Sequence, residues 1–304
     1  MNEPDFLLAL RALATDPAAR GFLDDAAVLP RPSANLVVTT DTLVEGVHFL
    51  PADPPGDIAH KLLATNLSDL AAKGARPLGV LLNYPLIGPE AWHRAFLAGL
   101  AESCRHFQAP LLGGDTVAPR SGPRTLGLTA MGEAGACTPS RAGAKPGQGI
   151  WLTGTLGDAG AGLRALRGAL AHDDHLVARY RRPDPRLAEG QALAPHVSAM
   201  MDVSDGVLID LSRMAAASGV AAAVHLDRLP LSEALVRICG DTRATRLAAA
   251  TAGDDYELLF ASDGEPPVPA ARVGQFARGT GLTLFHDGEP VPLPAALGWE
   301  HGAT

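Results

Sequence analysis

The chain is predicted to be an α/β (α+β) protein of two domains, on three observations. Runs rich in Val, Ile, Leu and Thr alternate, in both halves, with longer stretches whose apolar residues fall at helical spacing. Its 304 residues suggest about two domains at roughly 150 residues each. Between Gly132 and Gly149, Gly, Pro, Ala and Ser crowd together, the composition of a domain boundary. Domains over 1–135 and 136–304 follow.

The elements can be read in order. Glu3 to Arg20 has helical spacing, with Gly21 as its stop. After Pro30 and Pro32, the β-branched run Asn35-Leu-Val-Val-Thr-Thr40 reads as a strand with Asp41 at its end. Asp57 caps a helix to about Lys73, closed by Gly74 and Pro77. Pro77 to Leu86 reads as a strand, and Pro89 to Gln108 as a helix with proline near its first turn. Leu111-Leu112-Gly-Gly-Asp115 reads as a short strand ending in a glycine turn, and Thr125 to Glu133 as another strand. In the second half, strands are expected at Gly149–Thr153, Ser198–Val203, Ala221–Leu226 and Tyr256–Phe260. Helices are expected at Gly157–Ala171 and Gly206–Ser218, with helical composition at 243–250.

Composition removes several function classes. Asp and Glu outnumber Lys and Arg, 33 to 25, for a net charge of −8 and no basic run. That balance disfavours nucleic acid and anionic membrane surfaces as partners. No apolar stretch approaches the roughly 18 residues that span a bilayer. The opening MNEPDFLLALRAL places acids before its apolar run, unlike a secretory signal or transit peptide. Cys104, Cys137 and Cys239 are far apart and without metal-ligand spacing, which fits a reduced, cytoplasmic compartment. The chain has no P-loop, and none of the His-Arg-Asp or Asp-Phe-Gly elements of protein kinases.

What stands out is where the acids sit. Asp24-Asp25, Asp41, Asp69, Asp115, Asp202, Asp205 and Asp254-Asp255 fall at expected strand ends, at glycine turns or on a helix shoulder. Turn aspartates routinely cap backbone N–H groups, and that is the first reading for any one of these taken singly. Asp69 is different. Ala59, Leu63, Leu67 and Leu70 form one apolar stripe, and Asn66, Asp69 and Lys73 lie on its shoulder, with Lys61, Ser68 and Ala72 expected to face solvent. A carboxylate beside a buried stripe needs a partner, either Lys73 four residues on or a metal ion. Acidic oxygen donors without paired Cys or His suit Mg²⁺, which takes one or two carboxylates together with substrate phosphates. Thr153-Gly-Thr-Leu-Gly-Asp-Ala-Gly160 opens a helix that can bind an anion, although close strand–helix packing explains its glycines as well. Arg141, near the boundary, can reach phosphates or form a linker ion pair.

In order along the chain stand Asp24-Asp25-Ala-Ala-Val-Leu, Thr39-Thr-Asp-Thr-Leu-Val-Glu-Gly-Val-His-Phe-Leu50 and Asn66-Leu-Ser-Asp-Leu-Ala-Ala. Then come Gly113-Gly-Asp-Thr, Arg141-Ala-Gly-Ala-Lys-Pro-Gly, Trp151-Leu-Thr-Gly-Thr-Leu-Gly-Asp, Asp202-Val-Ser-Asp-Gly206 and Gly253-Asp-Asp-Tyr-Glu-Leu. Over about Asp5 to Trp299, this series closely resembles the thiamine-monophosphate kinase family of the aminoimidazole ribonucleotide synthetase-like superfamily. The resemblance implies ATP-dependent phosphorylation of thiamine monophosphate to thiamine diphosphate by direct transfer, with several Mg²⁺. It also implies an N-terminal domain whose sheet pairs with that of a second subunit in a homodimer, a C-terminal α/β domain, and a site in the cleft between them. Carried over residue by residue, Asp25, Thr39, Thr40, Asp41, Asp69, Asp115, Asp202 and Asp205 match metal ligands. Gly114, Asp115, Arg141 and Ser204 match nucleotide contacts, and His48, Asp254 and Trp299 match the thiamine monophosphate pocket. The chain departs from the family pattern at Leu23, where Gly is usual, and at Asp254, where Glu is usual. His48-Phe49 after Thr-Thr-Asp-Thr distinguishes it from the synthetase branch of the superfamily.

The chemistry fits the resemblance. Phosphoryl transfer needs positioning and charge neutralisation rather than covalent help. An acceptor that is itself an ionised phosphate needs no strong general base, so the absence of an obvious nucleophile or catalytic His is in keeping.

Overall fold

A computed structural model describes residues 3–22, 29 and 34–300. Chain contacts divide it into two compact units, Met1–Leu70 with Ala75–Ala136, and Ala71–Gly74 with Cys137–Thr304. Leu23, Asp24 and Asp25 lie outside the described residues.

The first unit comprises α1 (Glu3–Arg11), β1 (Asn35–Val44), α2 (Pro55–Ala71), β2 (Ala75–Pro85), α3 (Glu90–His106), β3 (Leu111–Val117) and β4 (Thr125–Ala134). The opening helix is shorter than expected. It stops at Arg11 and the chain resumes as a 3₁₀ turn over Pro17–Phe22; Pro17, which lacks the N–H a helix needs and restricts the residue before it, bars one continuous helix to Arg20. The four strands lie in the order β1-β4-β2-β3. Ladders β1–β4 and β4–β2 are antiparallel, while β2–β3 is parallel with α3 as the crossover.

Two strand boundaries correct the sequence reading. Strand β1 pairs with β4 from Asn35 to Val44, so Asp41 is inside the strand rather than at its end. Likewise Gly113, Gly114 and Asp115 lie within β3, opposite Leu81, Leu82 and Asn83, and form no turn. Gly114 has φ 152, and a Cβ there would lie 1.9 Å from the Leu82 carbonyl oxygen, so only glycine lets the two backbones approach.

Helix α2 also differs from expectation. Its stripe of Ala59, Leu63, Leu67 and Leu70 is buried, but so are Lys61, Ser68 and the adjoining Ala72. The predicted solvent face does not exist. From Ile58 to Leu70 every residue but Asp69 is buried, and Lys61 satisfies its ammonium by donating to the His48 carbonyl at 3.0 Å. It approaches α3 closely: a Cβ on Gly99 would meet Gly56 Cα at 2.4 Å. Asp57 sits in the first turn, two residues after the helix start, where it favours the positive end of the dipole instead of capping it.

The second unit contains β5 (Gly149–Leu152), α4 (Asp158–Leu166), α5 (Asp174–Arg181), α6 (Leu187–Leu193), β6 (Ala199–Asp202), α7 (Val207–Ser218) and β7 (Ala221–His225). It continues with α8 (Glu233–Cys239), α9 (Arg243–Thr251), β8 (Leu258–Ser262), β9 (Ala271–Ala277), β10 (Gly281–His286) and β11 (Glu289–Val291). Its seven-stranded sheet runs β11-β10-β7-β9-β5-β8-β6, and only β7–β10 is parallel. Ile150, Leu152, Val203, Leu208, Leu211 and Leu259 anchor its core. Helix α4 ends well before Ala171, because Gly168 adopts φ 75 and breaks the hydrogen-bond ladder. Strand β8 begins at Leu258 rather than Tyr256, since Asp254 and Tyr256 are left-handed. Helices α5, α6 and α8 and strands β9 to β11 are findings of the structure.

Candidate functional site

In the first unit, β1 and α2 are joined by side chains that the sequence singled out. Thr39 donates its hydroxyl to Asp69 Oδ2 at 2.5 Å. The Asp41 N–H donates to Asn66 Oδ1 at 3.0 Å, and Asn66 in turn donates to the Leu62 carbonyl, which fixes its amide. Lys73 is not the partner of Asp69: its ammonium donates to the Pro139 and Met200 carbonyls. Thr40 occupies the opposite face of β1, donating to the Leu128 carbonyl and accepting from the Thr129 hydroxyl. Asp115 is exposed and accepts the Thr116 N–H at 3.0 Å. Register places Asp115 in a cross-sheet row with Asn83, Gly127 and Thr42, whereas Asp41 and Gly114 belong to the adjacent row.

In the second unit the candidates converge on the turn from β6 into α7. Asp202 ends the strand and is largely buried. The N–H groups of Ser204 and Asp205 both donate to Asp210 Oδ2 at 3.1 Å. Arg213 bridges Asp205 at 2.5 Å and Asp210 at 2.8 Å. Burial pushes the Asp210 carboxyl up to about 6. Asp254 and Trp299 attach to the same turn. The Asp254 N–H donates to the Ser204 carbonyl at 2.8 Å, and the N–H of the half-exposed Trp299 donates to the Asp205 carbonyl at 2.9 Å. Arg141 is exposed, and its carbonyl accepts the Ser218 hydroxyl.

His48 follows β1 on a tight turn. Its Nδ1 accepts the Val44 N–H at 3.0 Å, which fixes the neutral ring with its proton on Nε2. The turn is braced by Lys61 on the His48 carbonyl and by a two-oxygen Arg124–Glu45 ion pair, with the guanidinium 4.5 Å above the Trp92 ring.

Sequence reasoning assigned no role to two buried carboxylates of the second unit, Asp255 and Glu257. Glu257 is fully buried and is held by Arg186 at 2.6 and 2.7 Å, by Arg179 at 2.9 Å and by the Thr153 hydroxyl at 2.7 Å. Asp255 accepts the Gly157 N–H at 2.8 Å, and burial, together with Asp158 and Glu257 nearby, raises its carboxyl well above the ordinary range. One signal was available: an acid set against the apolar run Leu258-Leu259-Phe260 must be buried and must therefore have a cationic partner. Among the described residues, one group of three has all its ligand atoms within 4.8 Å of one another, and it is Asp227, His286 and Asp287.

Two family models match the chain. The N-terminal domain of AIR synthase related protein matches residues 23–134, and the C-terminal domain matches 145–287. Thiamine-monophosphate kinase of Caulobacter vibrioides is 42% identical, over 94% of this chain and 86% of its own length. The Escherichia coli K12 enzyme of that name is 41% identical, over 93% and 92%. Among solved structures, thiamine-monophosphate kinase of Stenotrophomonas maltophilia superposes with TM-score 0.82 at 41% identity, covering 94% of this chain and 96% of that one. AaThiL complexed with AMPPCP and TMP gives TM-score 0.80 at 30% identity, covering 91% of both chains. The E. coli hydrogenase maturation protein HypE, 20% identical with TM-score 0.79, shares the fold alone.

Proposed function

The chain belongs to the thiamine-monophosphate kinase family, and on that premise we propose that it transfers the terminal phosphoryl group of ATP to thiamine monophosphate, giving thiamine diphosphate and ADP. The observation that carries this reading is the similarity, over 91% of both chains, to a protein solved with both an ATP analogue and TMP.

The donor set suits Mg²⁺. Thr39, Asp41, Asp69, Asp115, Asp202 and Asp205 offer only hard oxygen ligands, and Asp69 already directs a carboxylate oxygen at the Thr39 hydroxyl. We assign these residues, with Thr40 and Asp25, as the ligands of several Mg²⁺. When bound, the ions neutralise phosphate oxygens in the loose transition state. The chain's own residues handle the rest. Arg141 presents a guanidinium to nucleotide phosphates, Ser204 contributes a contact beside Asp205, and Gly114 keeps the backbone at β3 open to close approach. His48, held as the Nε2–H tautomer, is a hydrogen-bond donor for the acceptor. Asp254 supplies negative charge for the permanently cationic thiazolium ring, with Trp299 as an aromatic surface beside it. The acceptor phosphate attacks already ionised, and no side chain has to take its proton.

We assign the functional unit as a homodimer joined through the first sheet. Leu36 and Val38 lie on the outer strand β1, 52% and 58% exposed on the same side, an apolar edge that a second copy would cover. Sedimentation of wild type beside Val38→Asp tests this, with a pair expected for the first and single chains for the second. We place the reaction in the cytoplasm. Cys104, Cys137 and Cys239 are free thiols, and no helix among the described residues is long and apolar enough to cross a membrane. Recovery of the native protein from an extracytoplasmic fraction would overturn that placement.

The reaction itself is tested with purified protein, ATP, Mg²⁺ and thiamine monophosphate, followed by chromatography. Thiamine diphosphate is expected, and EDTA is expected to abolish it. No product while nucleotide still binds would overturn the choice of acceptor.

A further inference from the structure

Asp254 and Tyr256 both adopt left-handed backbone, φ 68 and 52, although neither is glycine. Such conformations persist only where the surroundings over-determine them. Here the surroundings do so from two directions. The Asp254 and Tyr256 N–H groups donate to the Ser204 and Val203 carbonyls, each at 2.8 Å, and the Val203 N–H returns a bond to the Glu257 carbonyl at 2.8 Å. From inside, Gly157 holds the Asp255 carboxylate, while Arg179 donates to both the Asp255 carbonyl and the Glu257 carboxylate. Arg186 closes a two-bond clamp on Glu257. The acids at 255 and 257 are thus anchored in the core, and Asp254 stays half-buried at the surface. Between them, the buried Tyr256 projects its hydroxyl back to Asp254 Oδ1 at 3.1 Å.

We propose that Tyr256, fixed by the arginine clamp on Glu257, is a positioning residue that aims the Asp254 carboxylate at the cationic ring of the phosphate acceptor. The inference rests on the functional reading above and adds a residue to its acceptor side. The hydroxyl donates a hydrogen bond to one oxygen of that carboxylate, and a charge-assisted bond of this kind is worth roughly a tenfold effect. The role assigned to Tyr256 is exerted through Asp254, whose carboxylate it holds.

A kinetic double-mutant cycle tests the idea, using full-length wild type, Tyr256→Phe, Asp254→Ala and the double variant, with melting curves for each. Tyr256→Phe is expected to raise the thiamine monophosphate KM about tenfold, with kcat and the ATP KM changed less than about twofold. In the Asp254→Ala background the same change is expected to add nothing. Arg186→Lys, which loosens the clamp but keeps its charge, is expected to move the same KM in the same direction. An unchanged KM in Tyr256→Phe, or an equal rise with and without Asp254, overturns the positioning role. Wild-type protein that makes no thiamine diphosphate overturns the functional reading and this inference together, whereas an active wild type with an additive cycle overturns this inference alone.

Discussion

In the first unit, Asp69 and Asp115 meet hydroxyl and backbone donors, and among the described residues no cationic side chain stands against either. In the second, Asp205, Asp210 and Glu257 each hold an arginine. The two regions carry similar side chains for different ends. A carboxylate neutralised by a guanidinium inside the chain contributes to the fold, whereas one left with neutral donors keeps its charge for a cation from solution. Asp205 belongs to both groups, since it is a candidate ligand already paired with Arg213.

The contrast can be broken first from the side of the first unit. Asp69→Asn, like Asp41→Asn, is expected to lower kcat/KM about a thousandfold, as loss of a metal ligand does, while the unfolding midpoint stays within a few degrees of wild type. Turnover near the wild-type rate would return Asp69 to a structural role. The second unit is expected to respond the other way. Glu257→Ala leaves two arginines facing a buried gap, and urea unfolding should show a loss of about 3–5 kcal/mol. A loss below about 1 kcal/mol would mean that the clamp contributes little to the fold.

A smaller effect sharpens the comparison through pH. The Asp255 carboxyl is raised well above its ordinary 3.8, so the native chain retains a proton that the unfolded chain releases. Its stabilising contribution is therefore complete below about pH 4 and declines as pH rises through the raised value. Asp255→Asn, neutral throughout, should gain on wild type as the pH is raised from 5 to 8 in thermal melts. A constant difference between the two proteins across that range would rule out the shift.

What could be read in the sequence was local. The β-branched run before Asp41 and the apolar stripe beside Asp69 announce themselves within a few residues, and the structure joins them through Thr39 and Asn66. What escaped depended on distant partners. The clamp on Glu257 reaches back 71 and 78 positions to Arg186 and Arg179, and no periodicity encodes such a pairing. Lys61, Ser68 and Ala72 looked solvent-facing because helical spacing shows one apolar stripe, but it does not show whether other elements cover the remaining faces. The left-handed residues at 254 and 256 were equally silent, since neither is the glycine that normally marks such backbone.

Strand β1 carries Thr39, Thr40 and Asp41 on the same ten residues that expose Leu36 and Val38 at the sheet's edge. With that edge as the assembly surface proposed above, dilution reaches the chemistry. Below the dissociation midpoint of the pair, each molecule would turn over more slowly while its fold stayed intact, and a plot of rate against enzyme concentration would curve upward instead of running straight through the origin.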